Sequence, residues 1–404
     1  MSRAPRPARL LWDGGYFWSL MCLEAAEALG LDLVPITADQ VARGRLEQAR
    51  LLVVPGGRPA LKKRALGPDG AAALRRWLSA GGCYLGFCGG AGLALQVSDG
   101  LGLVELGRAA GRLRLPSLSG PMQVVPAAGQ EGHPMWPGLD RPASLHVWWP
   151  GQFAWNGDPD DGSLRAVALY HGAAPGLYTA DLAVDQVSPG GWSDLESDYG
   201  LNLDPAALAG QPAVVEARLG AGKLLLSYLH LDTPHQAAAS QALSNLWQQW
   251  AGLEPGERPA RAPRAEQPHC RLSHGARELW RLGLSLGLWR ERGGALPIWR
   301  RGARGLEVWS LVAMTLAACH RLEDRPPDDL LARRVEASLS PLWDQGRRVL
   351  EAQAARLAGR PVPAAAAARE RSWFPAPRRI GGGLLQAMDV LSEALFRLAV
   401  AEPA

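Results

Sequence analysis

The chain has 404 residues, too many for one ordinary hydrophobic core, so two domains are expected. Its 47% hydrophobic and 20% charged residues are typical of a soluble globular protein. The formal net charge of +4 is uneven, because residues 254–404 carry 24 arginines and 17 acidic residues. These arginines alternate with acidic residues, as on solvated helices, so no nucleic-acid partner is expected.

The lack of a membrane-spanning or signal-peptide segment and the cysteine pattern further limit the class of protein. No apolar run approaches the roughly 18 residues that a membrane-spanning helix needs. The first nine residues are basic and Pro-rich, and no signal-peptide apolar region follows them, which favours a cytoplasmic protein without membrane contact. The five cysteines are scattered and include no C-x-x-C pair, which argues against a disulfide framework and a zinc site. No metal or cofactor is expected.

Short apolar strands and helices alternate over the first 95 residues. This alternation predicts right-handed βαβ crossovers and a mostly parallel sheet with helices on both faces. Strands are predicted at 10–12, 31–36, 51–54 and directly before Cys88, with helices at 17–29, 41–49 and 71–80.

The pattern changes after this region. Segments dense in Gly, Pro and Trp predict hairpins and loops laid over the sheet edge. A Gly-rich turn at 220–222 joins two strand-like runs, and the second run ends at His230. We therefore predict an α/β domain at 1–253, a Pro/Arg-rich linker at 254–268 and an all-helical domain at 269–404. Regular apolar spacing on one face supports a helix near the C-terminus, at Leu384, Met388, Leu391, Leu395 and Leu398.

The stretch Gly86-Phe87-Cys88-Gly89-Gly90 follows an apolar strand and precedes a helix-like run. Gly-x-Cys-x-Gly has the pattern of a nucleophile elbow, a strained turn that exposes a reactive side chain at the carboxyl edge of a sheet. The N-terminus of the following helix would favour the thiolate. An ordinary tight turn around a buried small residue is the alternative interpretation of this stretch.

Groups that could assist a thiol follow three other predicted strands. His230 and Asp232 supply a base and a carboxylate that could orient it. Pro55-Gly56-Gly57 would place backbone N–H groups at the same edge, where they could form an oxyanion hole with the N–H of Gly89. Asp13-Gly14 also ends a strand at this edge, where it either contacts substrate or forms a turn.

Taken together, Pro-Gly-Gly after the third strand, Gly-x-Cys-x-Gly and His-x-Asp resemble the class I glutamine amidotransferase-like superfamily. Four blocks look similar to the N-terminal domain of biotin–protein ligases, which also occurs alone in bacterial proteins, at 51–57, 84–88, 155–157 and 220–223. The likeness covers about residues 8 to 235. It implies a flavodoxin-like fold, with Cys88 as nucleophile, His230 as base and Asp232 as the acid that orients it. Asp232 stands where the family usually has Glu, and Leu231 where it has Pro.

Three functions are expected from these residues. The first is hydrolysis or transfer of an amide or acyl group of a small molecule or peptide through a Cys88 thioester. The second is a ligand-binding or regulatory module without turnover, whose helical domain docks a protein partner; a redox-sensing or chaperone-like role for Cys88 is a third. The catalytic domain of the biotin ligase family carries a catalytic lysine, and no lysine follows Lys223 in this sequence. A biotin ligase catalytic domain in the C-terminal part is therefore excluded.

Overall fold

The computed structural model describes residues 8–157, 162–252, 271–292, 295–322, 330–374 and 384–400. The chain divides into two compact units, Met1–Pro259 and Ala260–Ala404. The linker predicted at 254–268 lies outside the described residues. We call the first unit the α/β unit and the second the helical unit.

Thirteen described strands belong to the α/β unit. They are β1 (Ala8–Leu11), β2 (Leu33–Ile36), β3 (Leu51–Val54), β4 (Cys83–Phe87), β5 (Gly107–Arg108), β6 (Leu118–Pro126), β7 (Ala143–Trp148), β8 (Phe153–Ala154), β9 (Leu164–Ala173), β10 (Tyr178–Thr179), β11 (Leu182–Ala183), β12 (Pro212–Leu219) and β13 (Gly222–Ser227). Its described α-helices are α1 (Phe17–Ala28), α2 (Ala38–Ala42), α3 (Pro59–Ser79), α4 (Gly89–Ala94), α5 (Trp192–Tyr199) and α6 (Ala237–Ala251).

Five strands form the parallel part of the main sheet, in the order β2-β1-β3-β4-β13. This is the flavodoxin-like strand order. Beyond β13 the sheet continues with antiparallel strands in the order β12-β9-β6-β10-β11, and β7 also pairs with β6. The predicted doubly wound sheet with hairpin insertions is confirmed, and the insertions lengthen the sheet itself.

Side chains from both faces of the parallel strands are buried, as a doubly wound sheet requires. On one face, Leu52, Val54 and Tyr84 join residues of α2, α3 and α4 in a single apolar cluster. Leu10 and Val53, which point to the other face by strand alternation, are at most 1% exposed. Helices therefore cover the sheet on both sides and leave its carboxyl edge free for loops.

The register aligns the carboxyl ends of three strands, β3, β4 and β13, at this edge of the sheet. Gly86 on β4 is aligned with Val54 on β3 and with Leu226 on β13. The segments that follow these strands carry Gly56, Cys88 and His230. Strand alignment alone therefore gathers the predicted site residues.

The helical unit contains α7 (Arg271–Ser285), α8 (Gly305–Leu322), α9 (Leu330–Leu357), α10 (Ala364–Trp373) and α11 (Leu384–Val400). An antiparallel hairpin of β14 (Trp289–Arg292) and β15 (Ala295–Trp299) lies between α7 and α8. The unit is helical as predicted, but the expectation that it is all-helical was wrong at this hairpin, where Trp289 packs face to face on Trp280 of α7. Cys319 on α8 is disulfide-bonded.

Within the described ranges, no helix is both long enough and apolar enough to cross a membrane.

Candidate active site

Cys88 occupies a strained turn between β4 and α4. Its φ of 46° and ψ of −101° lie in a region that residues with a side chain rarely adopt. The turn is fixed from both sides, because the Cys88 N–H donates to the Ser227 carbonyl at 2.7 Å and the Gly92 N–H donates to the Cys88 carbonyl at 2.9 Å. The side chain is half-buried. This geometry is that of the elbow predicted from the sequence.

The glycines after Cys88 are required by close backbone packing. A Cβ on Gly89 would lie 1.9 Å from the carbonyl oxygen of Gly57, and a Cβ on Gly90 would lie 1.9 Å from that of Val54. The Tyr84 hydroxyl donates to the Gly90 carbonyl at 2.6 Å and holds the first turn of α4 down. Only glycine at positions 89 and 90 allows the elbow to pack this closely against the end of β3 and the loop after it.

His230 and Asp232 form a buried pair in the segment after β13. Nδ1 of His230 lies 2.8 Å from Oδ1 of Asp232, and both side chains are 0% exposed. The His230 N–H donates to the carbonyl of His146 on β7 at 2.8 Å, and the indole of Trp18 on α1 stacks on the imidazole with a centroid distance of 4.9 Å. The imidazole is therefore oriented by a carboxylate, a backbone contact and an aromatic ring.

Electrostatics favour a charged His230. Burial alone would lower the pKa of this imidazole, but the charge and hydrogen bond of Asp232, together with Cys88, raise it to about 9. The raised pKa therefore favours the imidazolium over the neutral ring at neutral pH.

The Cys88 sulfur points between two neighbours. It lies 3.8 Å from the carbonyl oxygen of Trp148 and 4.0 Å from that of Trp149. Nε2 of His230 makes no hydrogen bond of ordinary geometry within the described residues, although Cys88 is near enough to influence its pKa.

Backbone donors lie beside this pair. Across the described parts of the chain, the N–H groups of Gly56, Gly57 and Gly89 donate no hydrogen bond. A Cβ on Gly56 would lie 3.1 Å from Cε1 of His230, so the Pro-Gly-Gly loop passes directly over the imidazole. The role of these three N–H groups in an oxyanion hole stays a prediction from the sequence.

Asp13 and Gly14 lie at the same edge, but the Asp13 carboxylate serves the fold. Its Oδ2 accepts the N–H of Ala38 at 2.7 Å and so binds the start of α2. Burial raises the pKa of Asp13. Gly14 packs on α3, since a Cβ there would lie 3.2 Å from the Lys62 nitrogen. Of the two interpretations given for Asp13-Gly14, the turn is the one that these contacts support.

Two residues near the site carried no chemical signal in the sequence. Trp18 stacks on His230 from α1, and Lys62 is a fully buried lysine on the first turns of α3. An aromatic or basic residue inside a helix matches no catalytic motif. Trp148 and Trp149 also contact the site, which agrees with the density of tryptophan in that loop.

A family model and several solved structures are similar to parts of this chain. The family model described as biotin-protein ligase, N terminal, matches residues 31–97. No curated protein matches the chain. Among solved structures, a GMP synthase subunit from Thermoplasma acidophilum is 14% identical, with a TM-score of 0.38 over 62% of this chain and 94% of that one. A ThuA-like protein from Bacteroides uniformis is also 14% identical, with a TM-score of 0.38 over 62% of this chain and 93% of that one.

A beta-galactosidase from Bacillus circulans is also similar, at 12% identity and a TM-score of 0.37. The match covers 63% of this chain and 32% of the galactosidase, so this chain spans about a third of that enzyme. The matched family segment, 31–97, runs from β2 through α4 and contains Cys88, whereas His230 and Asp232 lie outside it. Over residues 31–97, the predicted resemblance to the N-terminal domain of biotin–protein ligases is thus confirmed.

Proposed function

We propose that the α/β unit is a cysteine-dependent hydrolase or amidotransferase-like enzyme that acts on an amide or acyl group of a small molecule or peptide. One observation carries the proposal: Cys88 sits on a strained elbow at the sheet edge that also holds the buried His230–Asp232 pair. Strain of this kind persists where the surrounding structure enforces it, and it is concentrated at functional sites.

The chemistry follows from the geometry. In the resting site the Cys88 proton already resides on Nε2 of His230, and the Cys88 thiolate attacks the substrate carbonyl carbon. The carbonyl π electrons move to oxygen, where the N–H groups of Gly56, Gly57 and Gly89 receive the negative charge. Collapse of this intermediate breaks the C–N bond, and the leaving amine takes the proton from His230. Water or another nucleophile then cleaves the thioester and regenerates the thiol.

The raised pKa of His230 sets the resting state of this cycle. An imidazolium beside Cys88 favours thiolate over thiol, as in other cysteine–histidine pairs. The same proton is then available for the leaving amine. Asp232 keeps the ring oriented and compensates its charge, and both side chains are fully buried.

A second function is favoured by one contact. The Cys88 sulfur faces the carbonyls of Trp148 and Trp149, and Nε2 of His230 has no hydrogen-bond partner of ordinary geometry within the described residues. A module that binds a ligand without turnover would keep the thiol in this position. The helical unit is then the part that would dock a protein partner.

Labelling with iodoacetamide separates the two functions. We expect Cys88 to react at pH 7 at least about 10-fold faster than free cysteine, and His230→Gln to slow this reaction by about 10- to 100-fold. Gln can still hydrogen-bond to Asp232, so the fold is retained. Peptide mass spectrometry assigns the label, and Cys88→Ser must abolish it. Release of ammonia or amine from a panel of amides measures turnover.

His235→Gln is the matched control, because this histidine is exposed and its Nε2 lies 3.4 Å from a carboxylate oxygen of the exposed Glu24. It should leave the labelling rate unchanged. If Cys88 reacts no faster than free cysteine and His230→Gln has no effect, the enzyme proposal is wrong and the binding module is favoured. Fast labelling without turnover of any amide would contradict the hydrolase while leaving the activated thiol in place.

A further inference from the structure

Trp148 and Trp149 are adjacent in the chain but have different environments. Trp148 is 1% exposed, and its indole N–H donates to the Thr233 hydroxyl at 3.2 Å. Trp149 is only half-buried, although its backbone has a φ of 51°, in a region that residues with a side chain rarely adopt. Packing of the sheet accounts for a buried Trp148. It does not account for a large aromatic residue at a strained, partly exposed position.

Backbone strain is concentrated around the candidate site. Three of the five non-glycine residues with positive φ in the described ranges belong to segments that border it: Tyr16 at 50°, Cys88 at 46° and Trp149 at 51°. Tyr16 precedes the first residue of α1, the helix that carries Trp18, and the Trp149 N–H donates to the Leu118 carbonyl at 2.8 Å. Conformations of this kind persist where the surrounding structure enforces them. The backbone that carries Trp149 is therefore enforced in the same way as the elbow.

Trp149 connects the Cys88 sulfur with the aromatic ring that covers His230. Its carbonyl oxygen lies 4.0 Å from Sγ of Cys88. Its indole meets the indole of Trp18 edge-on, with a centroid distance of 6.4 Å and an angle of 76° between the planes. Trp18 in turn stacks on the imidazole of His230 at 4.9 Å. Trp18 and Trp149 thus form a continuous indole wall beside both members of the proposed cysteine–histidine pair.

The chemistry of the indole wall indicates what it can bind. Because Trp18 is 8% exposed and Trp149 is half-buried, Trp149 supplies most of the accessible surface of the wall. Indole rings bind flat apolar groups, which stack on them or meet them edge-on and lose contact with water. The charges of His230 and Asp232 lie behind the wall, buried and compensating each other. The wall is therefore suited to an aromatic group of a ligand.

We propose that Trp149 is a specificity-determining residue of the Cys88 site, and that the substrate is an amide with an aromatic group close to its scissile carbonyl. The aromatic group packs on the indole wall while the carbonyl lies at the Cys88 sulfur. This inference rests on the proposed function and adds the substrate class to it. An aromatic anchor of this kind orients the reacting carbonyl, since small-molecule sites combine apolar walls with a few fixed polar groups.

The test compares iodoacetamide with N-phenyliodoacetamide. In both probes the Cys88 sulfur displaces iodide and forms an S–C bond, and the probes differ by one phenyl group. After each rate is divided by that of free cysteine, wild type should prefer the phenyl probe by at least about 10-fold at pH 7. Trp149→Ala should lower this preference by at least about 5-fold. Trp149→Phe keeps an aromatic ring and should retain most of the preference.

The ratio of the two rates separates specificity from structure. A general loss of thiol activation would slow both probes together and leave the ratio unchanged. Alanine and phenylalanine keep a Cβ at the strained position, so neither changes the backbone requirement there. Trp155→Ala is the matched control, because Trp155 is also half-buried but packs against the apolar cluster that includes residues of α2, α3 and α4. It should keep the wild-type ratio.

Circular dichroism checks the fold of each variant, and Trp149→Leu, which is apolar but not aromatic, replaces Trp149→Ala if the latter does not fold. If wild type does not prefer the phenyl probe, or if the preference survives in the folded Ala or Leu variant, the inference about Trp149 is overturned. The proposed function still stands in that case, provided that iodoacetamide labels Cys88 fast and His230→Gln slows it. If iodoacetamide labels wild-type Cys88 no faster than free cysteine, the proposed function itself fails.

Discussion

Replacing Gly89 by alanine is expected to destabilise the α/β unit by about 3 kcal/mol and to abolish fast labelling of Cys88. The added methyl group would lie 1.9 Å from the carbonyl oxygen of Gly57 and 2.7 Å from its carbonyl carbon. Both are backbone atoms, so no side-chain rotation relieves the clash. The loop after β3 or the elbow must move, and either shift separates Cys88 from the N–H groups beside it. Urea unfolding and iodoacetamide labelling measure the two effects.

Gly132→Ala is the matched control for this substitution. Gly132 has open space around its Cα and an ordinary φ, so the same change should alter the free energy of unfolding by less than about 0.5 kcal/mol. A Gly89→Ala protein with wild-type stability and wild-type labelling would show that the elbow is not packed on Gly57 as described.

The second large effect is expected at His230. His230→Ala leaves the carboxylate of Asp232 buried without its partner. Oδ2 of Asp232 already has no hydrogen-bond partner within the described residues. Removing one member of a buried ion pair costs about 3–5 kcal/mol. Denaturant unfolding at pH 6.5 measures the loss. His235→Ala, at an exposed pair, should cost less than about 1 kcal/mol.

A double variant tests the cause of this loss. If the cost arises from an unpaired carboxylate, adding Asp232→Asn to His230→Ala should restore part of the stability. Losses that simply add would point to cavity formation at His230 as the cause.

The difference in unfolding free energy between wild type and His230→Ala should depend on pH, because the folded and unfolded states bind the His230 proton with different affinities. The folded-state pKa of His230, about 9, is above the ordinary value of 6.5, so the folded state binds the proton more tightly. The stabilisation is complete below pH 6.5 and is lost as the pH rises through 9. The gap in unfolding free energy between wild type and His230→Ala should therefore narrow between pH 6.5 and pH 9. A gap that widens over this range would contradict the charged imidazole.

The parallel half of the fold was predictable because each short strand there is a continuous apolar run followed by glycine or a polar turn. Leu51–Val54 and Pro55-Gly56-Gly57 are an example: the run predicts a buried strand, and the turn marks the edge where it ends. The carboxyl ends of parallel strands share one edge, so the neighbourhood of Cys88 and His230 also followed. The assignment of these residues to catalysis stays a prediction, as do the partner of the helical unit and the cytoplasmic location.

Lys62 was missed because the start of its helix was missed. The predicted helix began at residue 71, after Pro68 and Gly70, whereas α3 begins at Pro59 and kinks at Gly67. Extended back to Pro59, the apolar stripe through Leu66 and Trp77 includes Lys62, so helical periodicity would have placed a lysine on the buried face. Glycine and proline in the middle of the segment concealed that continuity.

The antiparallel extension was harder to predict for a different reason. Strands such as β9 and β6 pair over long sequence separations, and their partners depend on tertiary packing more than on local pattern. The β14–β15 hairpin escaped notice because its tryptophans fit a helical stripe equally well. Trp289 in particular continues the spacing of Leu279, Leu282 and Leu286.

The pairing of β13 with β4 also determines when the site can exist. During synthesis, β1 to β4 and the elbow leave the ribosome before the strand that supplies Ser227, the acceptor for the Cys88 N–H, and before His230. Until β13 inserts between β4 and β12, the nascent chain contains a thiol without a base, a carboxylate or a fixed turn. On the proposed function, an activated Cys88 therefore exists only after β13 has paired with β4, so the growing polypeptide passes through its early folding without it.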